Sequence, residues 1–108
     1  MSFRIIYSDR ARQNLHEIRA YIHDVLCEPM TATKQLQRII KAVRGLDHLP
    51  FRHRLFDEEP WHTKGVRFLP VDNYLILYLP NEETETVTIS HVLHGSRNIP
   101  AQLEQTEE

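Results

Sequence analysis

Tyr74-Leu75-Ile76-Leu77-Tyr78-Leu79 sets six apolar residues in a row, and the reading of that run decides the fold. Strand side chains alternate between two faces, so a strand with no polar position belongs inside a sheet covered on both sides. Turn-forming residues bracket it, Asp72-Asn73 before and Pro80-Asn81-Glu82-Glu83 after. Beyond them lie two more strand-like runs, Val66-Arg67-Phe68-Leu69 and Val87-Thr88-Ile89-Ser90-His91-Val92-Leu93. Turns this short join antiparallel neighbours, which predicts a three-stranded meander. Helices are expected on one face of the middle strand, and a partner chain is a candidate cover for the other.

Upstream, Phe3-Arg4-Ile5-Ile6-Tyr7 reads as a further strand, followed by Ser8-Asp9, either of which can cap a helix. Ala11, Leu15, Ile18, Tyr21, Ile22, Val25 and Leu26 recur every three or four residues. That spacing predicts a helix of about five turns with a buried stripe. Pro29 suits the first turn of a second helix, whose stripe is Ala32, Leu36, Ile39, Ile40, Val43 and Leu46, and Gly45 and Pro50 mark its end. Its other face carries Lys34, Arg38, Lys41 and Arg44. Residues 51–64 show no sustained period and read as a loop. The expected fold class is α+β: an antiparallel sheet, made of the N-terminal strand plus the meander, with a two-helix hairpin packed on one face. Residues 1–100 form one domain; 101–108, acidic and without an apolar face, are expected to be a free tail.

The chain has 108 residues, enough for one core, with 41% hydrophobic and 26% charged residues. Its formal charge of -2 hides an asymmetry. Residues 1–54 hold ten Lys/Arg against five Asp/Glu, whereas 55–108 hold three against ten. An isoelectric point near 6.4 speaks against tight non-specific nucleic-acid binding while leaving room for a local basic patch. No apolar run is long enough to span a bilayer or act as a signal peptide, so no membrane partner and a cytoplasmic location are expected. A lone Cys27 allows no internal disulfide, and neither metal nor cofactor is expected. His91 and His94 should point to opposite faces of their strand unless a bulge intervenes, and His16 and His23 are too far apart to share an ion.

Ile6-Tyr7-Ser8 with Ala11 and Leu15, Ile18 with Tyr21-Ile22, Leu46 and Pro50, Val66-Arg67 before Asn73-Tyr74 and Tyr78, and Val92-Leu93-His94-Gly95 with Arg97 follow one another in the order and spacing of a known family. Over residues 3 to about 99 the chain resembles the ParE/RelE toxin superfamily of type II toxin-antitoxin systems. The hairpin and the ending His94-Gly95-x-Arg97 look more like the ParE branch. The resemblance implies growth inhibition, plasmid stabilization, a cognate antitoxin in a hetero-oligomer, and DNA gyrase as the inhibited target. The RelE branch implies instead a ribosome-dependent mRNA endonuclease working without metal, and a degenerate antitoxin-binding member is a third reading.

RNA cleavage of that kind needs a base for the 2′-hydroxyl, an acid for the leaving oxygen and cations on the phosphate. Arg67 and Arg97 are the candidate phosphate ligands, His94 the candidate acid, and Tyr78 its candidate orienting partner. Glu85 and Lys64 are poorly placed as bases. Arg67 and Arg97 equally suit partner salt bridges, and His94 equally suits closing its strand. Partner-binding candidates are Lys34, Arg38, Lys41, Arg67, Tyr74, Tyr78 and Arg97. Arg52-His53-Arg54 is the densest basic cluster, either a nucleic-acid contact or a solvated loop. Trp61 is expected to plug the core.

Overall fold

The first strand, β1 (Arg4–Tyr7), ends where Ser8 turns the chain into α1 (Asp9–Ala20). Ser8 is extended, and its hydroxyl oxygen accepts the Ala11 amide at 3.0 Å, satisfying one of the donors that a helix start leaves unpaired. The same hydroxyl donates to Ser90 O at 2.9 Å, so the cap also ties the helix to the sheet. These features come from a computed structural model that describes residues 2–95 and 99–104.

After α1 the helix widens into a π-helical turn, Tyr21–Val25, in which the Leu26 amide reaches back five residues to Tyr21 O at 3.1 Å. Helix α2 (Pro29–Arg44) follows, with Pro29 at its first position as expected, and runs into a 3-10 turn at Gly45–Asp47. The apolar stripe of the first helix is shorter than its periodicity predicts. Ala11 and Ile22 are buried and Leu15 and Ile18 pack against the core, but Tyr21, Val25 and Leu26 are exposed, as is Met30 across the bend. The π turn shifts the register of the stripe, and the hairpin tip has no described neighbour to bury it.

Strands β2 (Arg67–Val71), β3 (Tyr74–Asn81) and β4 (Thr86–His94) form the expected meander. The sheet order is β1-β4-β3-β2, with β2–β3 and β3–β4 antiparallel. β1, however, pairs with β4 in parallel, Arg4 opposite Thr86 and Tyr7 opposite Ile89, so the sheet is mixed where an all-antiparallel one was expected. Parallel neighbours need a long connection, and here the whole intervening chain supplies it. Asp72 and Glu85 take positive φ (55° and 54°) in the two hairpin turns.

The sheet is covered on both faces. Tyr74, Ile76 and Tyr78 of β3 face the hairpin and pack with Ile39, Val43, Leu46, Val87, Ile89 and Val92. Leu75, Leu77 and Leu79 face the other way, into a second cluster with Phe56, Val66, Phe68 and Leu93. Here the structure corrects the expectation of a partner cover, because this chain covers itself. Trp61, on the short helix α3 (Trp61–Lys64), and Leu103, on α4 (Ile99–Glu104), close the second cluster. Trp61 is thus the plug foreseen, its ring edge-on to His91 at 6.3 Å. Residues 101–104, expected in a free tail, are helical, with Leu103 buried; Leu103 is the one large apolar residue of the expected tail, and its helical partner four residues back, Ile99, falls before it. Residues 105–108 lie outside the described residues.

Candidate functional site

Arg67 and Tyr78 face each other across β2 and β3, and both are built into the fold. Tyr78 is fully buried and donates its hydroxyl to Pro50 O at 2.7 Å, across 28 residues of sequence. Burial pushes its pKa up to about 12, with Arg67 and Arg52 pulling weakly the other way, so at neutral pH it is a neutral donor. Arg67 donates to His53 O at 2.6 Å and lies over the Phe51 ring, 5.3 Å from its centroid. His53 stands edge-on to Tyr78, its ring centroid 6.3 Å away, and burial together with Arg52 keeps its pKa below the ordinary range. Tyr78 therefore seals the loop against the sheet and does not orient His94.

His94 sits at the other end of the sheet. Its backbone N–H donates to Gln102 Oε1 and its carbonyl accepts from Gln102 Nε2, both at 3.0 Å, so a glutamine amide from α4 imitates a neighbouring strand. Its ring packs edge-on against Tyr74 at 5.2 Å. Tyr74 and His94 border a half-open pocket of about 280 Å³ with Asn14, Glu17, Tyr21 and Gln102. Since Tyr74 pairs with His94 while Arg67 pairs with Tyr78, the two catalytic candidates are four residues apart along β3 and two strands apart across it. At about 3.3 Å per residue and 4.8 Å per strand, their backbones are roughly 16 Å apart, and with Arg67 turned onto His53 O and the Phe51 ring and His94 onto Tyr74, the two side chains do not converge on one phosphate. Arg97 lies outside the described residues. A bulge between Leu77 and Tyr78 falls beside Ser90, yet His91 and His94 still face apart, His91 toward Trp61 and His94 toward Tyr74. Among the described residues no group of three or more metal-binding side chains comes together.

The basic face of α2 is exposed at Lys34, Arg38 and Lys41. Arg38 Nε donates to Asp72 Oδ2 at 2.7 Å, and Gln35 donates to the same oxygen at 2.9 Å. Those two hydrogen bonds, Arg38 foremost, hold the Asp72 carboxyl below its usual range. Between α2 and β2 runs a groove of about 530 Å³, lined among others by Arg38, Lys41, Arg52 and His53, with Leu69 and Val71 along it.

The cluster Arg52-His53-Arg54 proves to be three separate structural devices. Arg52 gathers carbonyl oxygens from the turn before it, Leu49 O at 3.1 Å, Gly45 O at 3.4 Å and His48 O. Arg54 lies 5.7 Å from the Phe68 ring centroid, and His53 packs on Tyr78. The turn that Arg52 holds presents residues that sequence reasoning passed over. Leu49 is in the left-handed region (φ 49°) and 75% exposed, and Phe51 is exposed beside it. With Phe3, Pro50, Arg52 and Glu82 they line a pocket of about 410 Å³. Two large apolar residues bracketing Pro50 were the available signal, but without a period they read as loop.

Residues 5–99 match the family described as the ParE toxin of the type II toxin-antitoxin system, parDE. No curated protein matches the chain. Among solved structures, the fold is similar to a chain of the chromosomal ParDE toxin-antitoxin system from P. aeruginosa, with a TM-score of 0.70 and 20% identity over 86% of this chain and 96% of that one. It is also similar to a chain of the RelBE2 toxin-antitoxin complex from Mycobacterium tuberculosis, with a TM-score of 0.64 and 22% identity over 87% and 92%.

Proposed function

The chain belongs to the ParE toxin family of type II toxin-antitoxin systems, and from that premise we propose that it arrests growth by binding DNA gyrase, kept silent by a cognate antitoxin. The observation that carries this reading is the separation of Arg67 from His94. Metal-free RNA cleavage needs a base, an acid and cations around one phosphate. Among the described residues, Arg67 is committed to His53 O and the Phe51 ring, Tyr78 to Pro50 O, and the backbone of His94 to Gln102. A toxin that acts by binding needs a surface and no such convergence. The acidic balance of the chain supports the same choice, since attraction to ribosomal RNA grows with basic charge. The antitoxin is supported by the fold's likeness to chains of toxin-antitoxin complexes. Gyrase as the target puts the action in the cytoplasm.

The test is to induce the chain alone in growing bacteria and follow DNA synthesis, double-strand breaks and message integrity in one culture. Early replication arrest with intact message is the expected outcome. Rapid message cleavage, abolished by His94→Ala or Arg67→Ala in a folded protein, overturns the proposal in favour of a ribonuclease. Undisturbed growth assigns the chain to antitoxin binding without poisoning.

A further inference from the structure

Leu49 combines two features that folding alone does not reward. A leucine at positive φ is strained where glycine is not, and a side chain left three-quarters in water gains little from burial. Arg52 nevertheless holds this turn by its carbonyls, with Phe51 exposed next to it. Arg52 also lines both the apolar pocket at Leu49–Phe51 and the groove between α2 and β2, so the two hollows adjoin. The groove brings Arg38, Lys41 and Arg52 together against one carboxylate, Asp72, which Arg38 already holds. His53, also in its lining, has a buried Nε2 with no hydrogen-bond partner among the described residues.

We propose that the α2–β2 groove and the adjoining Leu49–Phe51 pocket form one docking surface for an acidic segment of the neutralising partner that carries a large apolar residue. Its carboxylates lie over Lys41, beside the Arg52 guanidinium that the turn carbonyls hold in place, and its apolar side chain packs onto Leu49 and the edge-on pair of Phe3 and Phe51, whose ring centroids are 6.3 Å apart. Charge complementarity selects the sign of the occupant. The aliphatic lining, Ala42, Leu69 and Val71, and the apolar pocket select a peptide over a phosphate backbone, which has no apolar group to place there. The identity of the partner as an antitoxin rests on the preceding reading; the chemistry of the groove does not.

The test uses the full chain and a labelled dodecapeptide of glutamates and aspartates with one central phenylalanine. Fluorescence anisotropy reads affinity, and amide shifts locate the contact. Binding is expected to move the signals of Lys41, Leu49, Arg52 and Leu69 and to weaken at least 5-fold between 50 and 300 mM salt. Replacing the phenylalanine by serine in the probe, or Lys41→Glu in the protein, is expected to weaken it by a similar factor. Leu49→Gly is the decisive variant: glycine suits φ 49°, so the melting temperature holds or rises while the probe loses affinity at least 5-fold. A Leu49→Gly protein that binds the probe unchanged overturns the proposal. So does equal binding of a lysine counterpart, a probe that shifts other residues or none, a short DNA duplex that outcompetes the peptide, or concentration-dependent shifts of the same residues without peptide, the mark of a second copy. Replication arrest in the induction experiment is scored independently, so either idea can fail alone.

Discussion

The two faces of β3 are equally apolar but covered in different ways. Toward Ile76 and Tyr78 the cover is continuous, two long helices joined by a bend. Toward Leu77 and Leu79 it is assembled from Phe56, Trp61, Ile99 and Leu103, residues from a loop, a one-turn helix and a six-residue helix. The contrast separates two ways of closing a core: a periodic stripe, which each helix advertises in its own sequence, and scattered single side chains, which nothing local announces.

The sharpest way to break the comparison is to excavate both faces. Ile39→Ala and Leu77→Ala, each at a fully buried site, are expected to cost about 2–5 kcal/mol in urea unfolding. A cost below about 1 kcal/mol for Leu77→Ala alone would show the second cover to be loose. Next in size is Tyr78→Phe, which leaves Pro50 O without its donor and is expected to cost about 1–3 kcal/mol. The folded pKa of Tyr78 lies above the unfolded value, so its stabilisation is complete below pH 10 and is lost as pH rises from 10 to about 12. Tyr78→Phe should flatten that alkaline decline in part, since burial also raises Tyr7. The smallest expected effect is that of Gln102→Ala, which removes both hydrogen bonds to the His94 backbone and should cost about 1 kcal/mol. Faster amide exchange at His94 with unchanged exchange at Ile76 is its signature, and faster exchange at both would mean that α4 supports the whole sheet.

These differences explain what was legible. The six apolar residues of β3 gave away a doubly covered strand, and the stripes of α1 and α2 gave away one of its covers, because period and length are visible in a single segment. A partner was a candidate for the second cover because Phe56 and Trp61 carry no period, the single pair Ile99 and Leu103 is too short to register as a stripe, and all four converge only in three dimensions. The direction of β1 was equally invisible, since pairing with β4 depends on strand order rather than on the strand's own residues. At the candidate site, Arg38 and Lys41 were recognisable as a basic face by helical spacing. Leu49, Phe51 and the clamp of Arg52 were not, because a left-handed leucine in an aperiodic stretch looks like any other loop residue.

The parallel pairing of β1 with β4 gives the molecule a clock. Ser8 meets Ser90 across 82 positions of sequence, so the first strand cannot be seated until nearly the last one has been made. At about 5–20 residues per second, a nascent β1 waits roughly 4–16 s for its partner. A message broken upstream of β4, or a ribosome stalled there, releases a chain with no place for β1, and the folded domain arises only once synthesis has passed β4.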